Sequence, residues 1–572
     1  MEKRVLLAII LSFVVLYGYQ AMFPPPKPQP KTATSTAPGG PSADASKTAA
    51  PEAEAAPAPA AAAALVADTE EHDVTFENSS VSAVFSSRGG VLKSWRLKKY
   101  QNSDRQPLEL VPHAVPAGST RPFSLSVQDP AVTTTLNHAL FKPSATNVSV
   151  GAEPVTLTFE YQDAGGLTAR KDFTFSPASP YVIVFTAKVT QGNQDLVPAV
   201  QWGPALGSGI VASSRTYNPP PQPIFYKDGK VSRIGTAKIS DNASQDGVFG
   251  FAGADDHYFL TAAVTPGQPL HLDYRALTVP AGSTEKTAAH FVDWGARYQA
   301  APQNVRFFAG PKDFDVLAAV DRDLVRSIDF GKFAFLVVPL LRALKWLNGY
   351  VGNYGFSIIL LTVLINLAMF PLRHKSVVSM RRMQEIQPQV KAIQDRYANL
   401  KMTDPARQKM NTEMMSLYRE RGVNPASGCV PMLLTFPVLL AFYSMLSVAI
   451  ELRGAPFIGW IHDLSIHDPL YITPVLMGAT QFVQTRMTPS SADPMQQKMM
   501  MFMPLIFIVF MITAPSGLVL YWTTSNLWAI GQQALTNRLI GPARIAGSRP
   551  PAERRVKKVG GGRTDQASKE QK

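Results

Sequence analysis

The chain has 572 residues, with 55 Lys and Arg against 42 Asp and Glu, which gives a formal net charge of +13. Its mean hydropathy is zero, as in ordinary soluble proteins, but only 17% of its residues are charged, below the usual quarter. The single cysteine, Cys429, excludes an intrachain disulfide and a zinc or iron–sulfur site built from several thiolates. The low charge content indicates long uncharged stretches.

The basic excess lies in two segments. Residues 373–428 carry eleven Lys and Arg against five acidic residues, and residues 538–572 carry ten against three. These two segments account for the whole net charge, so the remainder of the chain is neutral. A uniformly basic nucleic-acid-binding protein is therefore unsupported, and two basic patches on one side of a neutral body are predicted.

The first 68 residues contain an anchor and a linker. An apolar run over 5–23 follows Lys3 and Arg4 and is long enough to cross a bilayer core of about 30 Å. No small-residue cleavage site follows it directly, so we predict an uncleaved signal anchor over 1–23, although cleavage stays an alternative. Residues 24–68 are rich in Pro and Ala, a composition typical of a disordered tether.

Residues 69–310 are predicted to form an all-β domain. Apolar and polar residues alternate in 155–161 and again in 181–189, and clusters of Gly, Pro and Asn separate such runs. No convincing helical stretch interrupts them. This pattern favours a large sandwich, which the signal anchor would place outside the cytoplasmic membrane.

Residues 313–350 have a helical pattern with an apolar face edged by Arg342, Lys345 and Trp346. Such a face is typical of an amphipathic helix lying in the membrane interface. A short buried helix of the β domain is the alternative.

Four uncharged stretches then predict five transmembrane helices within a core at 351–537. They lie in 346–372, 422–450, 469–485 and 499–537, the last of which is divided into two spans at 514–517. With the anchor, the fold class is a multi-pass α-helical membrane protein of six spans that carries an all-β domain.

The charges predict the topology. If the N-terminus is cytoplasmic, the two basic segments also fall on the cytoplasmic side, as the positive-inside rule requires. The loop over 451–468, with one Arg against Glu451, Asp463 and Asp468, then lies outside. We therefore expect both termini in the cytoplasm and the β domain on the opposite side.

A cytoplasmic helical hairpin is predicted over 373–427. Apolar residues follow a heptad seam in its first helix, including Met383, Ile386 and Val390, and Met410 and Met414 form a stripe on its second. Pro388 interrupts the first heptads, so the regular first helix is expected to begin there. The seam holds the hairpin together on the simpler interpretation; on the other, its methionines form an adaptable surface for apolar clients.

The tail over 538–572 carries a basic cluster of Arg554, Arg555, Lys557 and Lys558 next to three glycines. A flexible basic arm can bind ribosomal RNA by counterion release or anionic lipid. It can also serve only to orient the chain in the membrane.

Five motifs carry a resemblance to a known family. They are residues 424–434 (NPASGCVPMLL), 451–456 (ELRGAP), 460–464 (WIHDL), 493–498 (DPMQQK) and 515–522 (PSGLVLYW). The chain resembles the YidC membrane-protein insertases of the YidC/Oxa/Alb family, in the Gram-negative form. The resemblance implies a cell inner membrane protein with a periplasmic β-supersandwich, which inserts and folds nascent membrane proteins alone or with the Sec translocon. It implies no nucleotide or cofactor.

The resemblance also implies a polar groove among the five spans, open to cytoplasm and lipid. Six polar residues are candidates to line it, in pairs four residues apart on one helix face: Thr362 with Asn366, Thr480 with Gln484, and Trp522 with Asn526. Intramembrane polar residues also commonly bond neighbouring helices, so each has this alternative role.

Asn366 departs from the family pattern, which has an arginine at this position. An amide can hydrogen-bond a client but cannot attract an acidic segment by charge. We hypothesise that Arg373, two turns along the same face, or Arg486 at the cytoplasmic end of the fourth span supplies the missing positive potential.

Other classes of protein find less support. The chain has no Gly-x-Ser-x-Gly, His-Glu-x-x-His or P-loop motif, so we do not expect an enzyme. The repeated His-Asp pairs at 462–463 and 467–468, and Asp255-Asp256-His257, could bind a metal but are more typical of turns. A small-molecule transporter would show inverted repeats, which are not seen. A carbohydrate- or peptide-binding role of the β domain is possible on fold analogy alone.

Overall fold

The computed structural model describes residues 63–102, 105–113, 115–116, 118–206, 220–265, 267–279, 289–397, 406–423, 430–488 and 494–540. The predicted signal anchor, nearly all of the predicted linker and the basic tail with Arg554, Arg555, Lys557 and Lys558 lie outside the described residues.

The first part of the described chain is built of strands. In chain order they are β1 Ala64–Val66, β2 Asp73–Glu77, β3 Val81–Ser86, β4 Val91–Gln101, β5 Pro107–Glu109, β6 Ser124–Ser126, β7 Lys142–Pro143, β8 Asn147–Ser149, β9 Val155–Asp163, β10 Leu167–Phe175, β11 Val182–Gln191, β12 Gln194–Leu196, β13 Ala199–Ala205, β14 Gln222–Lys227, β15 Lys230–Arg233, β16 Ser244–Val248, β17 Phe251–Asp255, β18 Phe259–Val264, β19 Pro269–Val279, β20 Ala289–Tyr298 and β21 Val305–Pro311. The prediction that this part is a β-sheet domain is confirmed.

The strands form three sheets. The largest has the order β1-β9-β10-β11-β21-β18-β17-β14-β15, with β7 and β12 attached to β9 and β11. A second sheet has the order β16-β19-β20-β13-β6, and a third has the order β5-β4-β3-β2-β8. Neighbouring strands are antiparallel except β2 and β8, which run parallel. The alternation in the sequence is visible in β10, whose odd-numbered residues are buried, as expected for a strand with one face on the core.

Aromatic side chains join the sheets in one core. The ring of Phe123 lies 5.1 Å from the rings of Phe173 and Phe307, which both belong to the large sheet. It lies 5.2 Å from the ring of Trp202 in the second sheet. All four side chains are almost completely buried. Burial of each such ring contributes about 1.5 to 3 kcal/mol, so this cluster is a principal contact between the two sheets.

Two details differ from the sequence-based expectation. A helix, α1 Pro130–His138, interrupts the strands; Asp129 caps it and proline occupies its first turn, a start signal that is easily missed in a nine-residue segment. Strand β1 lies inside the segment predicted as linker and pairs with β9. Its Ala-Leu-Val sequence ends an alanine-rich run, so composition concealed its boundary.

Helices make up the rest of the described chain. They are α2 Phe314–Val320, α3 Ala334–Val351, α4 Tyr354–Arg396, α5 Ala406–Glu420, α6 Val430–Val448, α7 Ile472–Met487, α8 Pro494–Met511 and α9 Ser516–Ile540. Helix α9 packs against α4 and α7, and α3 packs against α4 and α6.

Within the described residues, two helical segments are long and apolar enough to cross a bilayer, Gly331–Val351 and Tyr354–Arg396. Two shorter apolar helices are Phe436–Val448 and Met501–Met511. The count of six spans therefore stays a prediction.

The helices expose large apolar side chains on their outer faces. On α4 these include Leu360, Leu364 and Leu367, and on α8 they include Phe502, Leu505, Ile506, Val509 and Phe510. Monomeric soluble proteins rarely expose contiguous apolar surfaces of this kind. A lipid environment accounts for them, because hydrocarbon solvates such side chains while the helical backbone satisfies its own hydrogen bonds.

Helix α4 is longer than expected. It runs for 43 residues through both Pro371 and Pro388, so the prediction that a regular hairpin helix begins at Pro388 is wrong. A proline removes one intrahelical hydrogen bond, and here the helix is continuous on both sides of it. Helix α5 packs against α4. Between them, Tyr397 donates a hydrogen bond to Glu413 at 2.8 Å and Arg396 pairs with the same carboxylate at 3.1 Å.

Candidate functional site

A cavity of about 580 Å³ lies between α4, α6, α7 and α9. Helix α4 contributes Arg373 and Met380, and α6 contributes Phe436 and Leu439. The polar lining comes mainly from the other two helices: Gln481 and Gln484 on α7 with Thr488 directly after it, and Tyr521, Trp522, Ser525, Asn526, Gln532 and Gln533 on α9. We call this space the groove.

The wall of the groove between α7 and α9 is held by hydrogen bonds. The indole nitrogen of Trp522 donates to Gln481 Oε1 at 3.2 Å, and its ring packs on Phe507 at 4.8 Å between centroids. Asn526 donates from Nδ2 to Thr480 Oγ1 and to the backbone oxygen of Met477, both at 3.3 Å. These bonds fix the positions of the polar groups that line the groove.

Other amides in the groove have unused capacity. Gln484 Oε1 and Gln532 Nε2 are buried and have no hydrogen-bond partner in the part of the chain that the structure describes. An unpaired buried polar atom costs about 1 to 3 kcal/mol. Such atoms can therefore bond to the polar backbone or side chains of a segment that enters the groove.

Three of the six predicted groove residues lie behind this lining. Thr362, Asn366 and Thr480 are buried and are not among the groove-lining residues. Thr362 Oγ1 donates to the Ile358 oxygen at 2.6 Å, and Asn366 Nδ2 donates to the Thr362 oxygen at 2.8 Å. The other three predicted residues, Gln484, Trp522 and Asn526, line the groove.

Arg373 lies at the groove and Arg486 does not. Arg373 lines the groove, and its guanidinium donates from Nη1 to Asn366 Oδ1 at 2.7 Å. Seven residues separate them, which is two helical turns. Arg486 is exposed near the end of α7 and is not among the lining residues. Of the two hypothesised cations, the structure therefore brings only Arg373 to the site.

Sequence reasoning missed several lining residues. Gln532 and Gln533 follow Asn526 by six and seven residues, and a helical face continued from Asn526 would have included them. Gln481 is adjacent to the predicted Thr480, but the pairs at four-residue spacing favoured the other face of α7. Its role depends on the position of Trp522 on α9, which no local pattern in α7 indicates.

The candidate metal residues have other partners. Within the described residues no group of three His, Cys, Asp or Glu side chains could hold a metal ion. Asp468 accepts bonds from Trp460 and from the Thr473 backbone and hydroxyl, and Asp463 accepts from Ser465, as turn-forming aspartates do. Asp255 pairs with Arg233 and Lys312.

The fold and the groove define an integral membrane protein with a polar cavity among its helices and a large β domain. Residues 346–543 match the family described as 60Kd inner membrane protein, and residues 73–343 match the YidC periplasmic domain. The membrane protein insertase YidC of Geobacter metallireducens is 36% identical, over 95% of this chain and 99% of the relative. That of Pelobacter propionicus is 37% identical, over 94% of this chain and 100% of the relative.

The chain belongs to the YidC family of membrane protein insertases. Its members are inner membrane proteins with a periplasmic domain, and they are insertases rather than enzymes. Among solved structures, an active YidC insertase with its first transmembrane domain resolved covers 83% of this chain and 95% of its own, at 17% identity and a TM-score of 0.35.

Proposed function

We propose that this chain inserts and folds nascent membrane proteins by accepting their polar segments in the groove. The observation that carries the proposal is a cavity lined by one guanidinium and several amides, inside a helical region whose outer faces are apolar and exposed. Such a cavity offers hydrogen-bonding groups to a polar client segment, whereas the hydrocarbon of the bilayer offers none.

The energetic argument concerns the polar part of a client. A charged side chain at the bilayer centre costs about 2.5 to 3.5 kcal/mol on insertion scales. A hydrophilic client segment carries several such groups, so its passage through hydrocarbon is slow. Hydrogen bonds to Gln484 and Gln532 replace part of the lost hydration, while the apolar client helix leaves the groove toward lipid.

Arg373 supplies the electrostatic attraction in this proposal. Its hydrogen bond to Asn366 orients the guanidinium, and the other guanidinium nitrogens are left to bond a client carboxylate bidentately. Asn366 is then a positioning residue: it does not touch the client, but it holds the cation that does.

The finer topology belongs to the same proposal. Six spans, cytoplasmic termini and a periplasmic supersandwich would place α5 and the end of α4 in the cytoplasm. There the hairpin and the basic tail can contact the ribosome, Sec components or anionic lipids. The charge distribution of the sequence supports this arrangement through the positive-inside rule.

The test is depletion of the protein in its own cell while a labelled, Sec-independent small membrane protein is followed by protease protection. We expect the client to accumulate uninserted. Normal insertion of every such client would contradict the proposal, and loss of uptake of one solute alone would favour a transporter instead. Crosslinking from positions 484, 522 and 532 to a stalled nascent chain would identify the groove as the path.

A further inference from the structure

A second cavity, of about 520 Å³, lies on the β domain. It covers one face of the sheet β16-β19-β20-β13-β6 near its central strands and is bordered by Thr133 and Asn137 of α1. Its volume is in the range of small-molecule sites. No step of the proposed insertion uses it.

The register of the sheet brings a set of charged and amide side chains together on this face. Arg275 of β19 lies opposite Asp293 of β20, and Gln201 of β13 lies opposite Gly295 of β20. A Cβ at Gly295 would lie only 2.8 Å from Gln201 Oε1. Glycine at this position therefore makes room for the Gln201 amide to lie across the middle strand, over the floor of the cavity.

Three of the charged side chains here, Asp293, Arg275 and Arg297, have unused bonding capacity. The fourth, Asp273, accepts from Ser244 and pairs with His271. Asp293 Oδ1 is buried without a hydrogen-bond partner, and burial raises the pKa of this carboxyl to about 6 against the opposing effect of Arg275. Among the residues that the structure describes, neither Arg275 nor Arg297 makes a hydrogen bond or close ion pair. Arg297 lies opposite His271, four residues from Arg275 along β19, so the two backbone positions are about 13 Å apart along the strand direction.

The composition of the cavity identifies the class of ligand. Its charged lining residues are two arginines and two aspartates, so the charge sums to zero and no net anion or cation is favoured. Carboxylate acceptors, guanidinium donors and an amide that does both are the groups that bond neighbouring hydroxyls. Trp202, Tyr274 and Trp294 alternate with the cavity-facing residues along their strands, so their side chains point to the opposite face of the sheet. They are at most 2% exposed and offer no pocket to an apolar side chain.

A peptide fits this site less well. Extended peptides bind by adding a strand to a sheet edge, where backbone groups are free. The cavity instead covers the face of β20, which pairs with β19 and β13 on its two sides.

We infer that the β domain binds a small uncharged polyhydroxylated molecule, of the size of one or two sugar rings, between Arg275, Asp293 and Gln201. The ligand hydroxyls donate to the Asp293 carboxylate and accept from the guanidinium groups. This site is independent of the groove, so its failure would leave the proposed insertion function unaffected.

The experiment is isothermal titration calorimetry on the full chain in lipid nanodiscs. The probes are three disaccharides (maltose, lactose and sucrose), inorganic phosphate and a tetra-alanine peptide. We expect at least one disaccharide to bind in the millimolar range, and Asp293→Asn and Arg275→Gln each to weaken it about tenfold, since each removes charge-assisted hydrogen bonds. The control Arg96→Gln, an exposed arginine of the third sheet, should bind as the unsubstituted chain does.

Three results would overturn the inference. They are no heat with any disaccharide, disaccharide binding that both site variants retain, and binding of phosphate or peptide that disaccharides do not displace. Because Arg275 is exposed, Arg275→Gln is expected to fold even if the Asp293 variant does not, and thermal unfolding of each variant checks this.

Discussion

The side chain of Lys171 crosses the interior of the β domain. It is completely buried on β10, and its ammonium donates to the backbone oxygens of Gly89 at 2.6 Å and Phe123 at 2.8 Å. No carboxylate pairs with it in the described chain, and burial lowers the pKa of Lys171 to about 7. Lys171 therefore connects its own strand to the backbone at Gly89 and at Phe123. Its lowered pKa means that its charged form is less favoured in the folded chain than in water.

This gives a prediction about pH. The unfolded chain holds the Lys171 proton up to its ordinary pKa of about 10.4, whereas the folded chain releases it near pH 7. Between these values the unfolded state binds more protons, so the free energy of unfolding rises with pH. The gain should be seen between about pH 7 and 9 in thermal unfolding followed by tryptophan fluorescence, and Lys171→Met should remove it. The control Lys188→Met, exposed on the neighbouring strand, should keep the rise; a flat profile in the unsubstituted chain would refute the prediction.

The second residue-scale prediction concerns the groove cation. Arg373→Gln should slow insertion of a client with an acidic tail about tenfold or more, because a charge-assisted bond worth about 1.5 to 3 kcal/mol is lost. A client with a neutral tail should be affected less. Arg486→Gln is the matched control, since Arg486 is exposed and away from the groove lining. The measurement is protease protection of each client in proteoliposomes.

A charge relocation makes this test sharper. The double variant Asn366→Arg and Arg373→Gln moves the cation two turns along α4 and should recover part of the insertion that Arg373→Gln loses. If neutralising both Arg373 and Arg486 leaves insertion of the acidic client unchanged, neither arginine compensates for Asn366.

At the scale of elements, the sequence predicts those strands and helices whose residues follow a regular pattern of apolar and polar positions. Alternation predicts the β domain, and uncharged stretches coincide with α6, α7, α8 and α9. Boundaries were less predictable: α4 passes through Pro388, because a proline marks a weak point in a helix without saying whether tertiary packing bridges it. Thr362 and Gln484 show the same limit in the groove. Both are polar residues of predicted spans, and only packing decides that one is buried behind the lining and the other lies in it.

The hairpin of α4 and α5 provides a prediction for elements. Ile386 and Ile393 are buried, and Met410 and Met414 are half-buried, as a seam requires. Ile386→Ala with Ile393→Ala should loosen the hairpin, since truncation of each fully buried isoleucine costs about 2 to 5 kcal/mol. Faster amide hydrogen exchange in 406–420 is the expected result. The exposed Lys391→Ala is the control. Unchanged exchange together with weaker client crosslinking would instead favour the client-surface interpretation of the seam.

At the scale of the whole molecule, the β domain contacts the C-terminal end of α6 and the loop that follows it. His257 bonds through Nε2 to the Ser447 backbone oxygen at 2.6 Å. The guanidinium of Arg453 lies over the ring of Phe259 at 4.9 Å, a cation–π contact. These contacts fix the β domain to the end of one of the groove-forming helices, so the β domain can limit how far that helix moves when a client enters.

Lys345 of α3 is the charged centre of this joint. Its ammonium bonds Asp315 and lies 3.4 Å from Asp313 Oδ2 and 3.3 Å from Glu451 Oε1. It therefore ties the segment after the β domain to the loop after α6. The Glu451 side chain is only 7% exposed, so removing the lysine leaves a buried carboxylate with less compensation, at a cost of about 3 kcal/mol.

Lys345→Ala should therefore loosen the joint without unfolding either part. We expect faster hydrogen exchange in 313–320 and 450–455, and an earlier thermal transition of the joint than of the β-sheet core. Lys345→Met keeps the packing of the alkyl stem, so an equal effect in both variants would assign the loss to charge. Lys332→Ala, an exposed lysine just before α3, should change neither segment. If the Lys345→Ala variant shows the same hydrogen exchange as the unsubstituted chain, the apolar contacts of α3 alone hold the joint and the ion pairs are dispensable. If the variant shows faster exchange and also slows client insertion, the position of the β domain is coupled to the groove.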